Sequence, residues 1–243
     1  MYYATEKARE STAGGQIQWV CARRIRLGGA SQASRTLVRI TDLLHQRTSR
    51  VAVQRWIRYR IDLDGTPPQT AEVELTPLTE HIIARLKAHP DAALPDLRSG
   101  LEFWDAGLRD GYVWLADDQP LCMQWLLTER DNVALSQLPF WGNMYPPLSP
   151  GLGQVEKLWT FSGTRKKGVA TLFEYALFEQ ARRRGIRTLL THIGEGNVAA
   201  RGWADKTGWE AFGTIDRYSF DLPRIRDMDS TICVHSVGPV STL

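Results

Sequence analysis

The sequence is poor in cysteine and in long apolar runs. Its three cysteines, Cys21, Cys122 and Cys233, are widely separated and form neither a disulfide framework nor a CxxC pair. No stretch approaches the roughly 18 consecutive apolar residues that a membrane-spanning helix needs, and residues 1–15 lack the apolar core of a secretory signal. These absences predict a cytoplasmic chain without a membrane span.

The net charge of +3 hides an uneven distribution along the chain. Residues 1–70 carry twelve Lys and Arg against five Asp and Glu, whereas residues 71–243 have a net charge of −4. A basic arm of this kind binds a nucleic acid or an anionic surface, or it is a solvated, partly disordered extension. The second case is the more frequent. We therefore expect an extension over 1–70, with a short helix near 36–47, a strand around Ile57–Leu63, and no nucleic-acid partner.

From residue 71 the pattern predicts one mixed α/β domain that ends near residue 221. A tail over 222–243 either adds one strand around Thr231–Val237 or stays loose. The expected order is a strand at 71–75, helices from Thr76 to Lys87 and over 97–108, a hairpin of 112–116 and 121–128, and a long loop at 131–153. A strand at 154–161, a helix at 169–184, a strand at 186–193, a helix at 197–207 and extended chain at 209–220 follow.

The most informative segment is Thr160–Thr171, which lies between a strand and a helix. It places Arg165, Lys166 and Lys167 in a tight turn that opens the helix. The free N–H groups of a first helical turn and the positive end of its dipole attract anions. The turn is therefore either a phosphate site or a helix start with solvated basic residues, and the local sequence alone leaves both open.

Two other phosphate motifs are nearly matched. Gly163–Gly168 has the glycine spacing of a Walker A loop, but Val169 and Ala170 stand where Lys and Ser or Thr are required, which argues against an NTPase. Residues 194–199 fit GxGxxA, yet only 44 residues follow, too few for the strands of a dinucleotide-binding domain.

The ordered set of motifs resembles the GNAT acyltransferase superfamily. Arg165–Ala170 resembles its (Q/R)xxGx(G/A) element between the fourth strand and the third helix. Asn197–Trp209 resembles its late NxxAxxxYxxxGF element, and residues 73–82 look like its first strand and helix. The resemblance covers about 150 residues. It implies a GNAT-like mixed, mostly antiparallel central sheet flanked by helices, with splayed fourth and fifth strands.

The resemblance also implies acetyl-CoA as acyl donor, a small-molecule or peptide amine as acceptor, and no metal. The pantetheine arm would lie along the end of the fourth strand, the pyrophosphate on the helix start, and a backbone N–H near Phe161 would polarise the thioester carbonyl. The implied cofactor-binding residues are Thr160, Phe161, Ser162, Arg165, Lys166, Lys167, Gly168, Val169, Ala170, Thr171 and Asn197.

Acyl transfer to an amine needs a base, because an ammonium group has no lone pair. Glu156, on the fourth strand, is the first candidate, and His192 at the end of the next strand is the second. Many family members use a late-helix tyrosine as the acid, but Trp203 stands there in this sequence. Either Tyr218 protonates the thiolate, or the thiolate leaves unaided, or the domain binds acyl-CoA without turnover.

The acceptor is the least defined part of the prediction. Phe140, Trp141 and Tyr145 in the long loop either line an acceptor pocket or form the loop's own small core. The leading hypothesis is acetylation of a primary amine on a small metabolite, sugar or peptide. The alternatives are a degenerate acyl-CoA sensor, an enzyme for longer acyl chains, and one that acts on a macromolecular amine with residues 1–70 as docking arm. The sequence does not fix the oligomeric state, for which a homodimer is one alternative because dimers are the commonest homo-oligomers.

Overall fold

The computed structural model describes residues 50–65, 72–138, 142, 144–221 and 231–237. Within them the chain forms helices α1 (Glu80–Ala88), α2 (Pro95–Asp105), α3 (Asn132–Gln137), α4 (Val169–Arg183) and α5 (Val198–Lys206). The strands are β1 (Arg50–Asp62), β2 (Thr76–Pro77), β3 (Gly111–Ala116), β4 (Gln119–Leu127), β5 (Leu152–Thr160), β6 (Thr188–Gly194), β7 (Glu210–Asp221) and β8 (Thr231–Val237).

The chain divides into two compact units. The described part of Arg60–Thr191, with Ala204–Glu210, belongs to the first. Its strand order is β2-β3-β4-β5-β6, with antiparallel pairs from β2 to β5 and a parallel pair between β5 and β6. The predicted mixed and mostly antiparallel sheet is therefore confirmed.

Helices of the first unit cover both faces of its sheet. On β4, Trp125 points toward α2, where its indole Nε1 donates to the carbonyl oxygen of Gly100 at 3.0 Å. Cys122 stands three residues earlier and so points to the opposite face, where Glu174 on α4 lies near its thiol. Trp125, Cys122 and Glu174 are all fully buried, so the core fills both sides of β4.

Several of the sequence-based element boundaries are wrong. The strand predicted at 71–75 lies instead at Thr76–Pro77, as β2, and residues 72–75 belong to no helix or strand. The helix predicted from Thr76 begins at Glu80, because Thr76 and Pro77 pair with β3 and the side chain of Thr79 caps the helix by accepting from Ile82 N–H at 3.3 Å. The long loop predicted at 131–153 contains the short helix α3. A reciprocal pair of hydrogen bonds from the Asn132 side chain to the backbone of Leu148 holds this helix in place.

The second unit contains the described residues up to Tyr59, His192–Trp203, and those from Ala211 onward. Its strands follow the order β1-β7-β8. Arg55 forms a bidentate ion pair with Asp216, in which Nε and Nη2 donate to the two carboxylate oxygens at 2.6 and 3.0 Å. Of the two alternatives left open for the tail, the structure has the strand: Thr231–Val237 forms β8, which pairs antiparallel with β7. The helix predicted near 36–47 lies outside the described residues. In the described part of the chain no helix is long and apolar enough to span a membrane.

Candidate functional site

Strands β5 and β6 run side by side only at their beginning. Parallel pairing joins Leu152 to Thr188 and continues to Gln154 and Leu190, and no further pair joins the described residues of these strands. β5 itself continues to Thr160. The predicted splay of the fourth and fifth family strands is thereby confirmed, and it leaves one edge of β5 open beyond Gln154.

A bulge interrupts β5 within this open stretch. The β4–β5 register shifts between Met123 and Trp125, so that Lys157 and Leu158 stand opposite the single Gln124. Lys157 has a φ of +60°, an uncommon backbone conformation for a residue with a side chain. Bulges redirect neighbouring side chains and are frequent beside active sites. This one lies next to the predicted catalytic carboxylate.

That carboxylate, Glu156, is buried and held by polar neighbours. The amide Nε2 of Gln154 donates to its Oε1 at 2.8 Å. The hydroxyl of Tyr145 faces it too: burial, and then the nearby negative charge of Glu156, raise the pKa of Tyr145 well above its ordinary value. The structure thus brings together two residues that the sequence analysis assigned to different tasks. Phe140 and Trp141 lie outside the described residues.

Lys157, next to Glu156, is a half-buried cation that the sequence analysis did not single out. Its Nζ donates to the Ser99 hydroxyl on α2 at 2.8 Å and lies 5.5 Å from the ring centre of Phe103. Burial lowers the pKa of Lys157 to about 8, although the carboxylates of Glu156, Asp96 and Glu102 oppose this change. The ammonium is therefore partly neutral under mildly alkaline conditions.

The backbone at the end of β5 alternates between its two edges. The Phe161 N–H donates to the Leu121 carbonyl at 3.0 Å, so it prolongs the β4 ladder. The neighbouring Thr160 must direct its own N–H and C=O to the other edge, and its carbonyl does accept from Arg165 Nε at 3.0 Å. Since the donor of Phe161 is already engaged, Thr160 offers the better-placed N–H of the two for a thioester carbonyl.

The basic turn at 162–168 is stabilised by contacts that its own side chains make. Arg165 stacks 4.7 Å above the Trp159 ring, and Lys167 Nζ donates to the Gly163 carbonyl at 3.0 Å. Lys166 and Gly168 have φ values of +64° and +76°. Gly168 is the N-cap of α4, and among the described residues no side-chain hydrogen bond caps this helix. Backbone N–H groups at the helix start are thus presented beside three exposed cations.

Both hydrogen-bond donors of Ser162, the backbone N–H and the hydroxyl, are already used. Its N–H donates to Asp91 Oδ2 at 2.8 Å, and its hydroxyl donates to Asp91 Oδ1 at 2.9 Å. Burial alone would raise the pKa of Asp91, but these two hydrogen bonds, with His89 and Arg165 nearby, hold it below its ordinary value. The sequence analysis assigned Ser162 to the cofactor, whereas its hydrogen-bonding groups serve Asp91 here.

The remaining candidates belong to the second unit. His192 is buried on β6. Asn197 Oδ1 accepts from the Ala200 N–H at 3.1 Å, so this side chain caps α5, while its contact with a cofactor stays a prediction. Trp203 lies half-buried on α5. Tyr218 lies on β7, and its side chain is outside the described part of the structure.

Comparison with known proteins identifies the fold but not the activity. No family model matches the chain, and no curated protein matches it in sequence. Among solved structures, one described as an acetyltransferase of the GNAT family from Novosphingobium aromaticivorans shares 18% identity over 72% of this chain, with a TM-score of 0.50. A GNAT-family acetyltransferase from Colwellia psychrerythraea shares 12% identity over 76% of the chain, with a TM-score of 0.51.

A third structure, a GCN5-related N-acetyltransferase from Sphaerobacter thermophilus, shares 15% identity over 76% of this chain, with a TM-score of 0.50. The matches span 67%, 62% and 56% of these three chains. The chain therefore has the fold of the GNAT superfamily. At this level of identity the likeness concerns the fold alone, and function must be argued from the site.

Proposed function

We propose that this chain is an acetyl-CoA-dependent N-acyltransferase that acetylates a primary amine of a small metabolite, sugar or peptide. One observation carries the proposal. On a GNAT fold, β5 has no parallel neighbour after Gln154 within the part of the chain that the structure describes. It then continues through a basic turn into the start of α4, which no described side chain caps. The open edge suits an extended amide-bearing chain, and the helix start suits a diphosphate.

The cofactor would bind along this edge in two parts. The pantetheine amides would pair with the backbone of β5 near Thr160, as an added strand would. The diphosphate would accept from the N–H groups between Lys166 and Thr171, where the α4 dipole and the cations of the turn favour negative charge. Asn197 is proposed as a further contact. The chemistry would need no metal, and the location would be cytoplasmic.

In the proposed reaction, the amine nitrogen attacks the thioester carbonyl carbon and the carbon–sulfur bond breaks. Coenzyme A leaves as the thiolate, and the proton lost by the amine passes to Glu156, directly or through a water molecule. Gln154 and Tyr145 would hold that carboxylate in place, and the Thr160 N–H would stabilise the developing oxyanion. His192 is the second candidate for the base.

Protonation of the departing thiolate needs a donor other than the late-helix residue. The indole N–H of Trp203 is not an acid at neutral pH, so this residue cannot replace the tyrosine that many family members use. Tyr218 would supply the proton, or the thiolate would leave unaided, since a thiol pKa near 8.5 makes it a tolerable leaving group.

Calorimetric titration of acetyl-CoA into the protein, with NADH and ATP as controls, tests the proposal. We expect micromolar binding of acetyl-CoA alone, and abolished binding in Gly168→Glu, which puts bulk and negative charge on the phosphate path. Binding of NADH without acetyl-CoA would overturn the proposal in favour of the GxGxxA segment at 194–199. Acceptor amines can then be screened by release of the free thiol.

A second candidate function follows from Trp203. A domain that lacks the acid could bind acyl-CoA as a sensor without turnover, and it would then show binding but no thiol release with any amine. Longer acyl donors and macromolecular amines remain alternatives for the substrate. Affinity that rises with acyl length would favour the first of these, and acetylation of proteins but not of small amines the second.

A further inference from the structure

Asp91 connects the α1–α2 segment to the start of the basic turn. It lies in the short 3-10 turn Pro90–Ala93, and only 6% of its surface is exposed. Its two carboxylate oxygens are each used, one by the N–H and one by the hydroxyl of Ser162. A carboxylate that accepts two hydrogen bonds from one residue fixes both the position and the orientation of that residue.

The position of Asp91 is itself determined by its neighbours. Its N–H donates to His89 Nδ1 at 3.1 Å, and its carbonyl accepts from the Leu94 N–H at 2.9 Å. The His89 ring meets the Phe161 ring edge to face, with 4.8 Å between their centres. The segment between α1 and α2 therefore clamps two consecutive residues, Phe161 and Ser162, at the point where β5 ends.

The charge of Asp91 is unfavourable for the proposed ligand. A buried carboxylate beside a diphosphate site repels the diphosphate. Asp91 also lies near enough to Arg165 for the two side-chain charges to interact. Such a residue weakens anion binding unless it contributes something else. What it contributes here is the geometry of Ser162, from which the turn toward Gly168 begins.

We propose that Asp91 is a positioning residue: through Ser162 it holds the basic turn in the conformation that binds the diphosphate of acetyl-CoA. This inference rests on the proposed function. The carboxylate makes no contact with the cofactor itself. It raises affinity by ordering the turn before the cofactor binds. The conformational entropy of the turn is then lost during folding and does not reduce the binding free energy.

The test is calorimetric titration of acetyl-CoA into wild type, Asp91→Asn, Ser162→Ala and the double variant, with Asp105→Asn as control. Asp105 is a carboxylate on α2 that pairs with Lys87 at the surface. We expect affinity about tenfold weaker in Asp91→Asn, since the amide carries no charge and offers only one acceptor oxygen for the two Ser162 donors, and little change in Asp105→Asn. The double variant should be no weaker than Asp91→Asn, because both changes break one link.

The sign of the effect separates this proposal from its alternatives. If Asp91 were only a nearby negative charge, Asp91→Asn would bind acetyl-CoA more tightly than wild type, and the proposal would be wrong. If Asp91 served only stability, the number of binding sites per chain would fall at an unchanged dissociation constant. Ser162→Ala loses the hydroxyl bond to Asp91 but keeps the backbone N–H bond, so it should weaken binding by a smaller factor than Asp91→Asn. Should Asp91→Asn not fold, unchanged affinity in the folded Ser162→Ala variant would overturn the proposal. No acetyl-CoA binding by wild type would instead overturn the proposed function.

Discussion

At the scale of single residues, the site holds its principal carboxylate in place before any substrate binds. Glu156 is buried, accepts from Gln154, and faces the hydroxyl of Tyr145. A base works best when its orientation is already set, because each degree of freedom lost in the reaction adds to the barrier. Glu156 is thus better prepared for proton transfer than an exposed carboxylate would be.

Replacing this carboxylate tests its role directly. In Glu156→Gln we expect unchanged affinity for acetyl-CoA but turnover about 100-fold lower at neutral pH, because the amide cannot take a proton. Activity should recover in part as pH rises, since more of the acceptor amine is then neutral. The measurement is the pH–rate profile by thiol release.

Glu102→Gln is the matched control. Glu102 is exposed on α2 and, like Glu156, acts on the charge of Lys157, so it shares the electrostatic surroundings but not the position. It should keep nearly full turnover. An unaltered pH–rate profile in Glu156→Gln would show that the base is another group, with His192 as the next residue to replace.

At the scale of elements, the join between β5 and α4 depends on one glycine. Gly168 has a φ of +76°, whereas Gly163, five residues earlier, lies outside the left-handed region. A methyl group added at either position would meet no atom within 4 Å. The two sites therefore differ in backbone conformation and not in available space.

This difference gives a clean comparison. Gly168→Ala should lower the free energy of unfolding by about 1 kcal/mol and weaken acetyl-CoA binding, because a side chain disfavours the left-handed conformation. Gly163→Ala should leave both nearly unchanged. Urea unfolding and titration measure the two effects. Equal losses in both variants would show that the backbone conformation at Gly168 is not what matters.

Elements with a strong local signal could be predicted from the sequence. The α4 periodicity with Gly185 after it, and the hairpin of β3 and β4, correspond to the structure because their hydrophobic spacing and turn residues act locally. The start of α1 was missed because Thr76 and Pro77 pair with a strand distant in sequence, which overrides the tendency of proline to begin a helix.

The candidate site divides in the same way. The basic turn before α4 could be predicted from its residue types between a strand and a helix, whereas Glu156 was chosen as the candidate base from the resemblance to the GNAT superfamily. The Asp91–Ser162 link joins residues 71 positions apart, and the bulge at Lys157 arises only from the register of β4 against β5. No local pattern predicts the Asp91–Ser162 link or the bulge, because an Asp after His-Pro and a Glu-Lys pair are common in soluble proteins.

At the scale of the whole molecule, the first unit contains a buried carboxyl group that the proposed mechanism does not use. Glu174 on α4 is fully buried, and its carboxylate accepts no hydrogen bond of normal geometry within the described residues. Burial raises its pKa to about 8, while the side chain of Trp209 offsets this only in part. The folded state therefore holds a proton here that the unfolded chain releases near pH 4.5.

This proton makes stability depend on pH in a definite direction. Because the folded pKa lies above the unfolded one, the free energy of unfolding should fall as pH rises from about 4.5 to about 8, and the loss is complete above that range. The contribution is on the order of 5 kcal/mol. Glu174→Gln should remove this dependence and be more stable than wild type at pH values above about 8.

Urea unfolding of both proteins near the two ends of that range measures the effect. Glu179→Gln is the control, since it removes a more exposed carboxylate from the same helix, one that pairs with Arg182, and it should keep the pH dependence of wild type. If wild type and Glu174→Gln lose stability equally as pH rises, the Glu174 carboxyl ionises as easily in the folded chain as in water. In that case water or a movement of α4 must reach it, and the packing between α4 and β4 is looser than its burial indicates.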